Sequence, residues 1–144
     1  MSGFVDPSTG EVGGEGGFSV QRADELRGFQ PTNPVEIEFF IREANGLLEK
    51  MPDVLLEINE RRYDAERAYS RRKNAQLAFY GRQGVAATFA RAQAEVDAQS
   101  ELEKWHAAKA EYHYAEDTER ALRTKVMSML NINRSISTQY GAHR

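Results

Sequence analysis

The sequence has no cysteine, only four prolines and no long apolar run, and each absence removes a class of protein. Without cysteine there is neither a disulfide framework nor a thiolate zinc site, which fits a reducing cytoplasm. The longest runs of large apolar residues, at 39–41 and 54–56, are far shorter than the roughly 20 residues that span a membrane. The first residues also lack the basic region and apolar run of a signal peptide. We therefore expect a cytoplasmic protein without a membrane segment.

Glycine is scarce except at the start of the chain, where six of the 11 glycines fall within the first 17 residues. They are mixed with small polar residues and acids, and such a segment buries too little to offset the entropy lost on ordering. We predict that residues 1–32 form a flexible, acidic, glycine-rich tail. Within it, residues 23–32 are expected to contain only a short helical segment around Leu26, before Gly28 and Pro31 interrupt it.

Helix signals begin at Asn33, which is a good cap, with Pro34 at the first helical position and Glu36 where a capping box places an acid. Apolar residues then recur at the spacing of three and four that marks one face of a helix. The pattern predicts helical arms over about 34–80 and 85–131, separated by a loop at 81–84. Pro52 either kinks the first arm or ends one helix and starts another.

Two arms of equal length around a short glycine loop predict a long antiparallel helical hairpin over residues 33–140. No stretch shows the alternation of a strand, so the fold class is all-α and coiled-coil-like, with a short extra N-terminal helix segment.

The apolar stripe is poor in bulk, because residues 61–121 include fifteen alanines. A two-helix hairpin with so thin a core is marginal, so we expect a homo-oligomer, most simply a dimer. Large residues of this stripe are the candidates for self-association. They are Phe89, Val96, Leu102, Trp105, Tyr112, Leu122 and Val126.

Charge is unevenly distributed although the net charge is only −3. Residues 1–60 carry a net −8, residues 61–91 a net +6 and residues 92–144 a net −1. The basic segment also contains aromatic residues, which stack on unpaired bases when exposed. We therefore take its basic residues as candidate contacts to nucleic acid or to a partner protein. They are Arg61, Arg62, Arg67, Arg71, Arg72, Lys73, Arg82 and Arg91.

A second interpretation of this basic segment is that its charges pair with acids of the opposite arm. In a hairpin, residues 61–71 lie close to residues 95–103 of the other arm. Those residues include four acids, which are Glu95, Asp97, Glu101 and Glu103. Both interpretations stay open at this point.

The sequence offers few candidates for a catalytic, metal or nucleotide site. Glu103 and His106 have the spacing of one ligand pair in helical di-iron proteins, but the chain has no second such pair. His113 and Asp117 form a common surface pair, no serine has an evident base, and no glycine-rich loop links a strand to a helix. We therefore expect no enzyme, no metal and no cofactor. Phe79 is expected to cap the core beside the loop.

Several local features point to a known group of proteins. After the loop the chain restarts with Gly84 and Val85, residues 86–98 alternate alanine with charge, and residues 129–136 end the second arm. In these features it resembles small helical proteins, mostly of unassigned function, that tailed phages and prophages encode. Such genes often lie near recombination or replication genes, so the resemblance implies an accessory of DNA metabolism in an infected bacterial host.

Three functions remain open from the sequence. The first is a non-enzymatic phage accessory protein that binds DNA or a DNA-metabolism protein through the basic hairpin end. Neutralising Arg71, Arg72 and Lys73 is then expected to weaken that binding. The second is an inhibitor or modulator of a host enzyme, anchored by residues 39–56. The third is a virion component or assembly factor.

Overall fold

The computed structural model describes residues 4–5, 12–13 and 15–142, and the parts of the predicted tail at 1–3, 6–11 and 14 lie outside them. Two short strands, β1 (Phe4–Val5) and β2 (Val12–Gly13), pair antiparallel. Four helices follow: α1 (Glu15–Gly28), α2 (Pro34–Arg82), α3 (Ala87–Asp97) and α4 (Gln99–Ala142). The prediction of an all-α fold with two long packed arms and an extra N-terminal helix is confirmed.

Helix α1 corrects the predicted tail. It begins at Glu15, so residues that we expected to be flexible are helical, and the helix is longer than a single segment around Leu26. Ala23 and Leu26 are buried in a core that α2 and α4 also supply. Burial of these side chains offsets the ordering cost that the glycines at its start impose.

The start of α2 follows the capping pattern. The Asn33 side-chain oxygen accepts the backbone N–H of Glu36 at 2.9 Å. The Glu36 carboxylate accepts the backbone N–H of Thr32 at 2.7 Å and its hydroxyl at 2.9 Å, so it reaches one residue further back than in a standard capping box. These hydrogen bonds lower the pKa of Glu36, the backbone bond most. Pro52 lies inside α2, so the alternative that it starts a new helix is wrong.

A glycine in the left-handed region ends α2. Gly84 has a φ of 75°, which favours a residue without Cβ. The N–H of Val85 donates to the carbonyl of Tyr80 at 3.1 Å, and the N–H of Gly84 donates to that of Gly81 at 3.2 Å. These two bonds form the C-terminal cap known as the Schellman motif. Because α2 runs to Arg82, the loop occupies 83–86 rather than 81–84.

The second arm is interrupted at Ala98, where φ is −96° and ψ is 10°. The sequence offers no proline or glycine there, and the prediction of one uninterrupted arm missed this break. Beyond it, α4 continues past the predicted end at 131 as far as Ala142.

Contacts divide the chain into two units, of which the first comprises Met1–Leu56 and Tyr114–Arg144. Its core brings residues of α1, α2 and α4 together. The buried members are Ala23, Leu26, Phe40, Ala44, Leu122 and Val126. Phe29, just after α1, stacks on Phe40 with ring centroids 6.3 Å apart. Large side chains from three helices therefore meet in this unit.

Lys125 fastens the end of α1 within the first unit. Its Nζ donates to the carbonyl of Leu26 at 3.0 Å, to that of Arg27 at 2.7 Å and to that of Phe29. The ammonium also lies 5.0 Å from the centre of the Phe40 ring. A cation at this position satisfies carbonyls that a helix C-terminus leaves unpaired. Burial lowers the pKa of Lys125.

The second unit, Glu57–His113, contains the end of α2, all of α3 and the start of α4. Tyr69 of α2 stacks on Trp105 of α4 with ring centroids 5.7 Å apart. The buried residues of α3 are only Ala90 and Ala94, and Ala98 follows them at the same spacing. Ile58 of α2 is also fully buried in this unit, so the core is thin only around α3, where the sequence is rich in alanine.

The apolar stripe predicted for the part of the chain that forms α3 is wrong. Phe89 is 75% exposed and Val96 is 66% exposed, so the larger apolar residues face outward. The buried positions of α3 are instead the alanines Ala90 and Ala94.

Candidate functional site

All eight candidate basic residues lie in the second unit, six of them on α2 before its last turn, Arg82 at the end of α2, and Arg91 on α3. They differ in whether the side chain already forms an ion pair with a carboxylate.

Two of the eight pair with acids of the opposite arm. Arg61 donates to the Glu111 carboxylate at 3.0 Å, and Lys73 lies 3.4 Å from that of Glu95. Cross-arm pairing is thus confirmed for these two, although Arg61 meets an acid further along α4 than the 95–103 segment. Such partly exposed pairs contribute little stability, so their main effect is to occupy the charge.

Two more basic residues are held by neighbours on the surface. Arg67 pairs with Asp64 one turn earlier on α2. The Arg62 guanidinium lies 5.0 Å from the centre of the Tyr63 ring and 4.9 Å from that of Tyr112, which places it against two aromatic faces.

Four arginines have no ion pair and no hydrogen bond to any part of the chain that the structure describes. They are Arg71, Arg72, Arg82 and Arg91, and all four are exposed. No acid follows Glu66 on α2, so nothing on that helix neutralises its last turns. Asp97 attracts Arg72 electrostatically without an ion pair. These four exposed guanidiniums are the charges that we consider for contact with a partner.

Three of these arginines share one side of α2. Residues three, four, seven or eleven positions apart lie on the same side of an α-helix. Arg71, Arg72, Ala75, Phe79 and Arg82 are related by these spacings, and all five are exposed. We call this surface the arginine face. From its first to its last residue it extends about 16 Å along the helix axis.

The prediction that Phe79 caps the core is wrong. Its side chain is 44% exposed and lies on the arginine face, while the ring packs edge-on against Tyr80 with centroids 5.4 Å apart. Its neighbour Tyr80, which the sequence pattern did not separate from Phe79, instead faces the second arm, where its hydroxyl donates to the Asp97 carboxylate.

A shallow groove of about 380 Å³ adjoins the fourth unpaired arginine. Its lining combines Lys73 and Arg91 with the hydroxyl of Ser70 and the amide of Asn74. Glu95 also lines the groove and takes up part of this positive charge through Lys73. At its start, α3 has no side-chain cap and no acid in its first turn, so the positive end of its dipole is not offset there.

Asp97 connects the two arms near the loop, a role that its sequence position did not reveal. Its carboxylate accepts the Tyr80 hydroxyl, the amide of Gln76 at 2.8 Å and the amide of Gln93 at 3.0 Å. The hydrogen bond from Tyr80 is the largest cause that lowers the pKa of Asp97, followed by those from the two amides. The same bond raises the pKa of Tyr80. Asp97 is therefore held ionised chiefly by neutral donors, with a smaller contribution from the charge of Arg72, and it joins the two arms near the loop.

The seven candidates for self-association differ in how far they are buried. Leu122 is fully buried and Val126 is 4% exposed, both in the core of the first unit, so assigning them to a contact between two copies is wrong. Three more, Leu102, Trp105 and Tyr112, are half-buried. Only Phe89 and Val96 project into solvent, and self-association through them stays a prediction.

The histidine and acidic residues considered as metal ligands do not form a binding cluster in the described part of the chain. No group of three or more histidine, aspartate or glutamate side chains within residues 15–142 is arranged to hold a metal ion. His106 is exposed and packs beside Trp105, with ring centroids 5.9 Å apart. Tyr114 is 47% exposed.

None of the helices in the described part of the chain is both long enough and apolar enough to cross a bilayer. Comparison with protein families, with curated proteins and with solved structures finds no match to the chain.

Proposed function

We propose that the chain is a non-enzymatic accessory protein that binds nucleic acid through the arginine face of α2. The phage setting implied by the resemblance, in DNA metabolism of an infected bacterium, belongs to the same proposal. The observation that carries it is the set of three unpaired guanidiniums, Arg71, Arg72 and Arg82, on one side of one helix. They remain unpaired in a chain that has more acidic than basic residues.

Phosphate is the anion that suits this surface best. A guanidinium offers a planar set of donors that matches phosphate oxygens and stays charged at all working pH values. The arginine face extends about 16 Å, a length over which one strand of a duplex presents several phosphates. The small Ala75 between the arginines leaves room for a backbone to approach.

Replacing the three arginines tests the proposal. We expect the triple variant Arg71→Gln, Arg72→Gln, Arg82→Gln to bind a labelled duplex more weakly at low salt. Each lost phosphate contact lowers the slope of log affinity against log salt by about 0.9, so three contacts lower it by about 3. Fluorescence anisotropy over a salt series measures both quantities. Lys73 is left intact because Glu95 already pairs with it.

A control with the same change in net charge is available in the first unit. Arg22, Arg120 and Arg123 are exposed and each pairs with a nearby acid. Their triple replacement by glutamine is expected to leave the salt slope within experimental error. An unchanged slope in the arginine-face variant, or an equal loss in the control, would contradict the proposed function.

A further inference from the structure

Phe79 is an aromatic ring on a surface that otherwise carries cations and a small residue. It is 44% exposed, although burial of a phenyl ring is favourable, and Tyr80 beside it is half-buried. Its edge-on contact with Tyr80 orients the ring without covering it. The arginine face therefore presents an oriented, partly open aromatic surface.

The neighbours of Phe79 along the helix are suited to a strand of nucleic acid. Arg82 lies three residues after it and Arg72 seven residues before it, both on the same side of α2. Ala75, four residues before it, is too small to cover the ring. A base placed on Phe79 thus has a guanidinium on either side along the helix, where the flanking phosphates of the strand would lie.

We propose that the nucleic acid bound at the arginine face is single-stranded, and that Phe79 stacks against an unpaired base. This inference rests on the proposed function and specifies its ligand. In a duplex each base is covered above and below by its neighbours, so a phenyl ring gains nothing there without unstacking them. Proteins that bind single strands combine a cationic track with aromatic rings, because every base has a face that can stack.

The test compares a single strand with a duplex of the same length. We expect the intact protein to bind a labelled 15-nucleotide oligothymidine more tightly than a 15-base-pair duplex. Phe79→Ala is expected to weaken oligothymidine binding about tenfold, the typical loss for one stacked base, and to change duplex binding and the salt slope little. Phe79→Trp keeps a ring and is expected to bind like the intact protein, with tryptophan fluorescence quenched on binding.

Phe18→Ala is the matched control, because Phe18 is 57% exposed but lies on α1 in the first unit. It is expected to change oligothymidine affinity less than twofold. Circular dichroism checks that each variant keeps its helix content.

The inference and the proposed function fail in different ways. If the arginine triple variant loses its salt slope while Phe79→Ala binds as before, the surface binds phosphate but no base stacks on Phe79. A preference for the duplex, or a loss shared by Phe18→Ala, also overturns the inference. If the intact protein binds neither nucleic acid and instead binds an acidic peptide, both proposals are wrong.

Discussion

The carboxylate of Asp97 joins helix α2 to helix α3 near the loop, and the three side chains that donate hydrogen bonds to it are neutral. Hydrogen bonds to the charged form favour ionisation, and the Tyr80 hydroxyl contributes the most. The same contact favours the neutral form of Tyr80, because a phenolate there would face the carboxylate. Protonation of one residue and ionisation of the other therefore each weaken the hairpin.

The pH dependence follows from the two shifts. The pKa of Asp97 lies below the ordinary 3.8, so its stabilisation is complete above that value and is lost as pH falls through the folded-state pKa. The pKa of Tyr80 lies above the ordinary 10.0, so its stabilisation is complete below that value and is lost as pH rises through the folded-state pKa. Urea unfolding followed by circular dichroism across the pH range measures both limbs.

Tyr80→Phe separates this contact from the other titrating groups. Removing the hydroxyl takes away the strongest donor to Asp97, so the pKa of that carboxyl rises toward its ordinary value. We expect the part of the acid loss of stability due to Asp97 to be smaller in the variant and to be complete at a higher pH, because its folded-state pKa lies closer to the ordinary value. The part of the alkaline loss due to Tyr80 should disappear. Identical acid limbs in the two proteins would show that the hydrogen bond does not stabilise the fold.

At the scale of the element, the turn between α2 and α3 depends on the backbone of one glycine. Gly84 has a positive φ, whereas Gly81 is still helical, and a Cβ at either position would meet no atom within 4 Å. Packing therefore does not distinguish the two sites. Only the backbone conformation does.

Alanine substitution at these two glycines is expected to have opposite effects. Both changes restrict the unfolded chain alike, but alanine in the left-handed region is strained, so Gly84→Ala should lower the free energy of unfolding by about 1–2 kcal/mol. Gly81→Ala should raise it by about 0.5 kcal/mol, because alanine favours a helix over glycine. Urea titration of both variants measures the difference, and equal effects would rule out the αL cap.

The elements show what periodicity can and cannot predict. The cap at Asn33 and the glycines at 81 and 84 are local signals, and α2 and the turn follow them closely. On α3, helical spacing is compatible with two different buried faces. One contains Phe89 and Val96, and the other contains Ala90 and Ala94. Weighting by side-chain size selected the wrong face, because the buried side chains of α3 are its alanines.

Other features depend on partners that are distant in sequence. Helix α1 has a composition typical of a tail, and it is ordered by residues of α2 and α4 that no local pattern identifies. The basic segment was visible in the sequence, but which arginines lack a carboxylate was not. That depends on the register of the two arms, in which Lys73 meets Glu95 and Arg61 meets Glu111.

Over the whole molecule, the two units have cores of different quality. The core of the first unit contains large side chains such as Phe40 and Leu122, whereas α3 in the second unit buries only alanines. Buried apolar area sets much of the free energy needed to open a segment locally.

Hydrogen exchange is expected to follow this difference. Amides of α3, at 87–97, should exchange faster than those of α4 at 115–126, because fewer apolar contacts are lost when α3 opens. Exchange measured by mass spectrometry on the intact chain, at neutral pH and without nucleic acid, tests this. Equal protection of the two segments would mean that the chain opens as one cooperative unit.

The contact between Lys125 and the end of α1 also orders events during synthesis. The ammonium and the Leu26 carbonyl are 99 residues apart in sequence, so α1 leaves the ribosome long before its partner exists. At about 5–20 residues per second, the wait is about 5–20 s. During that interval Ala23, Leu26 and Phe40 have no α4 to cover them. Helix α1 therefore completes its packing only after residue 126 has emerged from the ribosome.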